Sequence, residues 1–465
     1  MKSVHLIGIC GTAMATLAAM LQEQGIEVRG SDAHAYPPMD AFLAGRGIEP
    51  LLGYDARHVT DDVDLVVIGN AVSRGNPEVE AVLARRLHYV SLPEMVRDRF
   101  LRGRRSIVVA GTHGKTTTTS MSAWALVAAG ADPGFLVGGI PRNFDASFRL
   151  GRSDLFVIEG DEYDSAFFDK TAKFLKYLPF VTVVGSVEFD HADIYADLDA
   201  LRLAFRRLVG LVPGNGRVLL GADDAEARGL AGAAHCPVET FGIEAGADWR
   251  AVEVSSRDGR TRFAVEHAGK RVARVDLPLI GAFNVRNALA ATAAAAAVGV
   301  APAAAAAGLS TFRGVRRRLE HRGAARGVAV YDDFAHHPTA VRETLAALRE
   351  TSPAGRIWAV FEPRSATACR RVFQEAFAEA LALADAVVVG PVYRSSLPEA
   401  ERLSAPRLAA DIAAAGVAAR HLDSVDEIVN VVGREARDGD LVVVMSNGDF
   451  GGVHERLLDR LDGEA

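Results

Sequence analysis

A glycine-rich segment behind a short apolar run is the feature that most restricts the fold of this chain of 465 residues. Residues 110–119 read Ala-Gly-Thr-His-Gly-Lys-Thr-Thr-Thr-Thr and precede a stretch with helical spacing. Gly111 and Gly114 allow a tight turn that brings backbone N–H groups to phosphate oxygens, while Lys115 adds a mobile positive charge. The hydroxyl of Thr116 suits Mg²⁺. The segment therefore predicts a strand, a phosphate-binding loop and a helix that serve ATP chemistry.

Composition narrows the class of protein. The length suggests about three domains. The formal charge of −7 provides no excess of Lys and Arg for a nucleic-acid surface. The three cysteines, Cys10, Cys236 and Cys369, are few and far apart, which favours a reducing, cytoplasmic location. Residues 288–309 are rich in alanine but interrupted by Thr, Gly and Pro, so we interpret them as packed helices rather than a membrane span.

Apolar runs that alternate with helical stretches predict an α/β fold of three domains. We expect a Rossmann-like domain over residues 1–99, a central domain that resembles P-loop ATPases over residues 100–313, and a Rossmann-like domain over residues 314–465. Basic residues 97–105 are interpreted as a linker. Short alternating runs between residues 218 and 279 predict a small antiparallel insertion in the central domain.

Polar clusters follow two apolar runs of the central domain. Glu159 ends the run at residues 155–159, and further carboxylates follow it in the sequence Gly-Asp-Glu-Tyr-Asp. One such carboxylate, together with Thr116, could hold a hard cation that bridges ATP phosphates. The second cluster, Ser-Val-Glu-Phe-Asp-His, ends at His191. The plainer alternatives are a solvated acidic loop and an ordinary core or surface histidine.

Three more motifs complete the pattern. Asn284 and Asn287 are three residues apart on a predicted helix face, and amides can both donate to and accept from a purine edge; a helix cap is the alternative. Arg318 and Asp333 lie at the start of the third domain, where a basic linker is the alternative. Residues 8–14 could be taken for a dinucleotide loop, but the third fingerprint glycine is replaced by alanine.

Together these motifs resemble, over essentially the whole chain, the Mur ligases, the ATP-dependent amide-forming enzymes of bacterial cell-wall precursor synthesis. The resemblance implies catalytic roles for Lys115, Glu159, His191 and Arg318. It implies metal ligation by Thr116, Glu159 and His191. It implies an ATP site formed by Gly111, Thr112, His113, Gly114, Lys115, Thr116, Thr117, Asn284, Asn287, Arg318 and Asp333. It places a UDP-sugar, with its diphosphate on the loop of residues 8–14, at Gly8, Cys10, Gly11, Thr12, Ala13, Met14, Asp32, Asn70 and Ser73. Candidates for holding a peptide are Arg364, Ser446 and Asn447.

The chain departs from the family pattern at two positions. Ser186 stands where the family usually has asparagine, and Phe283 stands where it often has histidine. The carbamylated lysine that positions a metal in some relatives has no counterpart here, because the sequence has no lysine between Lys176 and Lys270. The muramate-loading branch of the family also lacks this device.

Several spans, among them residues 161–170 and 445–452, resemble the branch that rejoins recovered L-alanyl-γ-D-glutamyl-meso-diaminopimelate to UDP-N-acetylmuramate in peptidoglycan recycling. The resemblance implies ATP and Mg²⁺ as cofactors, an acyl phosphate intermediate, small-molecule partners only, and a monomer or weak homodimer. The nearest alternative is the de novo ligase that adds free L-alanine to the same nucleotide sugar. A nicotinamide-dependent oxidoreductase and a catalytically silent nucleotide-binding module are the alternatives from other classes.

Overall fold

The computed structural model describes residues 1–190, 194–352, 354–393 and 397–463. Its large sheets have five, ten and six strands, and they follow one another along the chain. Each sheet is mainly parallel and carries helices on its faces, as expected for an α/β fold of three domains.

The first domain contains β1 (Ser3–Ile7), α1 (Thr12–Glu23), β2 (Glu27–Asp32), α2 (Met39–Ala44), β3 (Leu51–Leu52), β4 (Leu65–Ile68), α3 (Pro77–Ala84), β5 (Tyr89–Ser91) and α4 (Leu92–Val96). The strand order is β3-β2-β1-β4-β5, with parallel neighbours. Successive connections leave β1 in opposite directions, so a crevice opens at the carboxyl ends of β1 and β4. A Cβ at Gly30 would lie 2.6 Å from the Ile9 side chain. This position of β2 therefore requires glycine, because β2 lies so close to the loop that follows β1.

The predicted linker at residues 97–105 is wrong in its first half. Residues Arg97–Leu101 continue α4 as a single π-helical turn. Phe100 and Leu101 are buried in a core cluster that also holds Phe156 of the central domain. Exposing these apolar side chains to water would cost free energy, so this part of the basic segment packs at the interface between the first and central domains.

The central domain contains two groups of elements. The first comprises β6 (Arg105–Ala110), α5 (Lys115–Ala128), β7 (Gly134–Leu136), β8 (Phe148–Arg149), β9 (Leu155–Glu159), β10 (Asp164–Ala166), β11 (Asp169–Ala172), β12 (Pro179–Val184) and α6 (Leu198–Gly210). The second comprises β13 (Arg217–Gly221), α7 (Ala225–Gly229), β14 (Val238–Gly242), β15 (Trp249–Arg257), β16 (Arg260–His267), β17 (Lys270–Leu277), α8 (Ala282–Ala297) and α9 (Pro302–Leu309).

The ten-stranded sheet has the order β17-β16-β15-β14-β13-β12-β6-β9-β7-β8. The antiparallel insertion is present but shorter than the predicted residues 218–279. The strands β13 and β14 pair in parallel and extend the central sheet, and antiparallel pairing begins only between β15 and β16. The helix α7 between β13 and β14 supplies the crossover that a parallel pair requires, and the alternating pattern alone did not indicate this.

The alanine-rich stretch forms α8 and α9, which pack against α5 of the phosphate loop. Small side chains permit close approach: a Cβ at Gly308 would lie 2.7 Å from the Cβ of Ala128. Within the described residues, none of the helices has the length and apolar character needed to cross a membrane. The alanine content therefore serves close helix packing around the loop.

The third domain contains β18 (Glu320–Ala325), β19 (Val328–Asp333), α10 (Pro338–Thr351), β20 (Ile357–Phe361), α11 (Gln374–Leu381), β21 (Ala386–Val389), α12 (Ala405–Ala414), β22 (Ala418–His421), α13 (Val425–Glu435), β23 (Leu441–Met445) and α14 (Val453–Asp462). The strand order is β18-β19-β23-β20-β21-β22, and only β18 is antiparallel. The edge strands β18 and β22 escaped the sequence analysis because they are polar or alanine-rich, whereas the four inner strands contain apolar runs that include Val.

Candidate active site

The phosphate loop joins the end of β6 to the start of α5. Gly111 has φ +124°, and a Cβ there would lie 3.0 Å from the backbone nitrogen of Gly185. Gly114 has φ +75°, and a Cβ there would lie 2.5 Å from Oδ1 of Asn287. Both positions combine a left-handed backbone with close neighbours, so both require glycine. The helix begins at Lys115 with its free N–H groups at the loop, the arrangement that binds anions.

Lys115 is held by a buried ion pair that the sequence analysis did not predict. Its Nζ donates to Oε1 of Glu162 at 2.8 Å and to the carbonyl oxygen of Gly111 at 2.7 Å. Burial alone would lower the pKa of Lys115, but the charges of Glu162, Asp161 and Glu159 hold that pKa above its ordinary value. The lysine is therefore a permanent, immobilised positive charge at the loop.

Thr116 and Glu159 meet beside the loop, at adjacent ends of α5 and β9. The hydroxyl of Thr116 donates to Oε1 of Glu159 at 2.9 Å, and the N–H of Gly138 donates to Oε2 at 2.7 Å. This hydroxyl also accepts from Nη2 of Arg318 at 3.0 Å. A hydroxyl and a carboxylate at this spacing are the hard oxygen donors that Mg²⁺ takes alongside phosphates and water, so the residues fit the implied metal.

Arg318 reaches this point from the third domain. Its guanidinium lies over the ring of Phe334, 4.6 Å from the centroid. Asp333 accepts from the N–H of Leu319 at 2.6 Å and from the N–H of Ala335 at 2.8 Å, which fixes the backbone next to the arginine. Burial raises the pKa of Asp333 to about 6 despite the charge of Arg318. Asp333 thus orients the arginine through its backbone rather than by a direct ion pair.

The segment after β12 is hydrogen-bonded to the phosphate loop. The N–H of Thr112 donates to the carbonyl oxygen of Ser186 at 2.8 Å, and the N–H of His113 donates to Oγ of Ser186 at 3.3 Å. Ser186, which stands where the family usually has asparagine, thus accepts a hydrogen bond from the phosphate loop. Further on, Asp190 is buried and its carboxylate accepts from the hydroxyl of Thr367 in the third domain. The predicted metal ligand His191 lies outside the described residues.

The two predicted amides lie together but are already engaged. Oδ1 of Asn287 accepts from the hydroxyl of Thr118 at 3.0 Å, and Nδ2 of Asn284 donates to the carbonyl oxygen of Ile280 at 2.8 Å. The cavity that these amides line also has apolar residues from separated segments, which sequence reasoning did not bring together. The apolar residues are Phe241, Ile243, Leu279 and Phe283. Phe283 is half-buried and precedes Asn284 directly in the chain, and an aromatic ring that lines a cavity suits the face of a planar base.

A cavity of about 700 Å³ between the central and third domains collects these groups. The lining residues from the predicted ATP site are Thr112, His113, Gly114, Lys115, Thr116, Thr117, Asn284, Asn287, Arg318 and Asp333. Glu159 also lines the cavity, whereas Gly111 does not. The cavity lining thus combines a phosphate loop, carboxylates and apolar side chains.

A second cavity of about 330 Å³ lies at the crevice of the first domain. It is lined by Gly8, Gly11, Met14, Asp32, Asn70 and Ser73 from the predicted UDP-sugar site, and by Tyr36, Tyr54, Arg74 and Asn76, which were not predicted. Cys10, Thr12 and Ala13 are absent from its lining. Cys10 is buried, and its N–H donates to Oδ2 of Asp32 at 2.8 Å, so it shapes the loop from inside.

The predicted peptide residues lie together at the carboxyl ends of β20 and β23. The guanidinium of Arg364 lies 3.8 Å from the ring centroid of Tyr393, and Nη1 donates to Glu362 at 3.5 Å. Ser446 also donates to Glu362. Oδ1 of Asn447 is buried with no hydrogen-bond partner among the described residues. The three predicted residues thus lie together, with Ser446 and Oδ1 of Asn447 buried.

Comparison with known families decides the assignment. The Mur ligase family catalytic domain matches residues 3–102, the Mur ligase middle domain matches residues 109–295, and the Mur ligase glutamate ligase domain matches residues 317–448. The chain belongs to the Mur ligase family. It is therefore an ATP-dependent ligase that forms amide bonds. Membership decides against the nicotinamide-dependent oxidoreductase and against the silent nucleotide-binding module.

Among its relatives, this Mur ligase is 45% identical over 461 residues to the UDP-N-acetylmuramate–L-alanyl-γ-D-glutamyl-meso-2,6-diaminoheptandioate ligase of Escherichia coli, covering 98% of each chain. It is 37% identical to the UDP-N-acetylmuramate–L-alanine ligase of Burkholderia mallei, covering 98% of this chain and 97% of that one. A crystal structure of a murein peptide ligase from Psychrobacter arcticus matches with a TM-score of 0.73 at 37% identity, covering 99% of each chain.

Proposed function

We propose that this Mur ligase joins the tripeptide L-alanyl-γ-D-glutamyl-meso-diaminopimelate to the lactyl carboxylate of UDP-N-acetylmuramate, with ATP as the energy source. The observation that carries the proposal is the 45% identity to the Escherichia coli ligase along 98% of both chains. The second candidate, addition of free L-alanine, is favoured by a relative at 37% identity. Both reactions share the first substrate and differ only in the incoming amine.

The reaction proceeds in two steps. In the first, a carboxylate oxygen attacks the γ-phosphorus of ATP, the bond to the β,γ-bridging oxygen breaks, and ADP leaves. In the second, the peptide amine attacks the carbonyl carbon of the acyl phosphate, the amide bond forms, and phosphate departs with one former carboxylate oxygen while the amine loses its proton. Activation is needed because a carboxylate is a poor electrophile for an amine.

Each catalytic residue has a defined task. Lys115 meets phosphate charge as a fixed cation, because Glu162 and the carbonyl of Gly111 already hold its Nζ. Arg318 adds a second cation from the third domain, next to Thr116. Groups fixed in this way stabilise charge that develops during phosphoryl transfer without reorganising at that moment. The ion pair and the arginine contact therefore prepare the loop before substrate enters.

Thr116 and Glu159 would hold Mg²⁺, with His191 as a further ligand on the strength of the family resemblance. Magnesium bound there would neutralise phosphate charge. The chain's own contribution is to fix the two oxygen donors: Glu159 is held by the N–H of Gly138 and by Thr116. Asn284, Asn287 and Phe283 are proposed to receive the adenine.

The first-domain cavity is proposed to bind the UDP portion of the substrate, with Asp32, Asn70 and Ser73 among its contacts. Arg364, Ser446 and Asn447 are proposed to hold the peptide.

We further propose domain boundaries near residues 99 and 313; the second lies between α9 and β18. A cytoplasmic location is proposed because ATP and a UDP-sugar are the substrates, and the three free cysteines agree with it. For assembly, we propose a monomer or weak homodimer.

The test is phosphate release in the presence of UDP-N-acetylmuramate, with the tripeptide compared with free L-alanine at equal concentrations. We expect the tripeptide to support turnover and L-alanine to give little. Arg364→Lys serves as a matched variant: it should raise the KM for the tripeptide and leave the KM for ATP unchanged, because the guanidinium plane over Tyr393 is lost while the charge stays. Equal or faster turnover with L-alanine would transfer the assignment to the second candidate.

A further inference from the structure

A cluster of three possible metal ligands lies at the boundary between the central and third domains. His113 belongs to the phosphate loop, Glu188 follows β12, and His337 caps the amino end of α10. One ligand atom from each residue lies within 4.8 Å of the others. None of the three belongs to the magnesium set proposed above, and only His113 belongs to the predicted ATP site.

Two distances within the cluster match those around a tetrahedral ion. Nε2 of His113 lies 3.2 Å from Oε2 of Glu188, and Nδ1 of His337 lies 3.4 Å from the same oxygen. Two donors that each bind zinc at its usual bond length in a tetrahedron are about 3.4 Å apart. The two histidine ligand atoms lie within 4.8 Å of each other, so an ion bound by both would draw them together around the glutamate.

His337 is the residue whose surroundings call for a cation. Its side chain is only 7% exposed, and Nε2 has no hydrogen-bond partner among the described residues. Nδ1 accepts from the N–H of Thr339 at 3.4 Å, yet Nδ1 also faces the carboxylate oxygen of Glu188. If the proton sits on Nδ1 instead, the Thr339 amide loses its acceptor. Hydrogen bonds among the described residues therefore satisfy neither tautomer completely. With the proton on Nε2, the Nδ1 lone pair faces the Glu188 oxygen, and a cation between these two atoms would turn that unfavourable contact into coordination.

The donor set selects the class of ion. Two imidazoles and a carboxylate are typical ligands of zinc and its neighbours in the first transition series, while Mg²⁺ prefers an all-oxygen shell. All three residues line the same cavity, so a fourth coordination position would face its interior. We propose that His113, Glu188 and His337 form a site for a zinc-class divalent ion that ties the phosphate loop to α10 of the third domain.

Such an ion would act on the arrangement of the domains. His113 and Glu188 belong to the central domain and His337 to the third domain, so coordination by all three would fix the two domains relative to each other across the cavity. A hydrogen bond already crosses the same boundary: the hydroxyl of Thr339 in the third domain donates to Oε2 of Glu188 at 2.7 Å.

The test is Co²⁺ titration of chelator-treated protein in the presence of excess Mg²⁺, followed by visible absorption and by competition with Zn²⁺. We expect one Co²⁺ per chain with the intense absorption of a tetrahedral site. His113→Gln and His337→Gln should each weaken binding at least tenfold. His321→Gln, which removes an exposed histidine elsewhere in the third domain, is the matched control and should bind as the wild type does.

The melting temperature of each metal-free variant reports whether that variant folds. Because the two substitutions lie on different elements, a variant that fails to fold leaves the other variant as a test. The proposal is overturned if Co²⁺ shows no saturable binding, or if both histidine variants bind as tightly as the wild type. It is also overturned if only His191→Gln abolishes binding, because the ion would then occupy the position implied by the family resemblance. None of these outcomes depends on turnover, so they are distinct from failure of the proposed function.

Discussion

Lys115 combines a structural and a catalytic task, and a double-mutant cycle with Glu162 separates them. The two side chains are 14% and 2% exposed and lie 2.8 Å apart. Removing one partner of a buried ion pair leaves the other charge unpaired and costs about 3–5 kcal/mol of folding free energy. For Lys115→Met, a change that keeps the volume, we expect the melting temperature to fall by roughly 10 °C. For Glu162→Gln, the melting temperature should fall by less, because Lys115 still donates to the carbonyl oxygen of Gly111.

The double variant is the informative member of the cycle. With neither charge present, most of the lost stability should return, so the two stability changes should be non-additive by about 2 kcal/mol or more. Turnover should not return, since the cation that faces phosphate is still missing. Removal of one preorganised charge of this kind costs about 3–4 kcal/mol of transition-state stabilisation, or 10²–10³ in kcat.

The assays are thermal unfolding and phosphate release at saturating ATP, UDP-N-acetylmuramate and tripeptide. If the double variant regains both stability and turnover, Lys115 acts only by neutralising Glu162, and the catalytic role proposed for it is wrong. Additive stability losses would show instead that the two side chains are not paired in solution.

Three further changes follow from the geometry. Asp333→Asn tests the raised pKa of Asp333. The folded protein holds the Asp333 proton more tightly than the unfolded chain does, so the wild type should lose up to about 3 kcal/mol of folding free energy relative to the variant as pH rises from 4 to 6. Urea unfolding measures this difference, and a difference that stays constant with pH would contradict the assignment. Gly114→Ala should lower kcat/KM for ATP at least a hundredfold, because its Cβ would meet Asn287, whereas Gly416→Ala, with the same backbone sign (φ +89°) and open space, should leave it unchanged. Because Cys10 is buried and burial raises its pKa to about 11, brief iodoacetamide treatment followed by mass spectrometry should modify Cys236 and spare Cys10; equal labelling would show that the loop opens.

Features carried by local sequence were predictable. The phosphate loop required glycine at two turns, and the strand that ends at Glu159 has the predicted bounds. Long apolar runs identified the buried parallel strands because both faces of such strands are covered. The family and its three-domain fold followed from the order of these motifs.

Features that depend on contacts between distant segments were not predictable from the sequence. Glu162 was grouped with the strand-end acids, but its role as the partner of Lys115 depends on where β9 and α5 lie in the sheet. The cluster of His113, Glu188 and His337 joins residues separated by up to 224 positions. Cys10 was predicted to contact the UDP-sugar from its place in the loop, yet its backbone and side chain face inward.

The measurement that bears most directly on the proposed chemistry follows one oxygen atom. UDP-N-acetylmuramate labelled with ¹⁸O in its lactyl carboxylate is converted with ATP and tripeptide, and the released phosphate is analysed by mass spectrometry. Attack of the carboxylate on the γ-phosphorus predicts one ¹⁸O in each phosphate for every amide formed. Phosphate without label, or label found in AMP, would show that the acid is not activated as an acyl phosphate and would contradict the proposed use of this cavity.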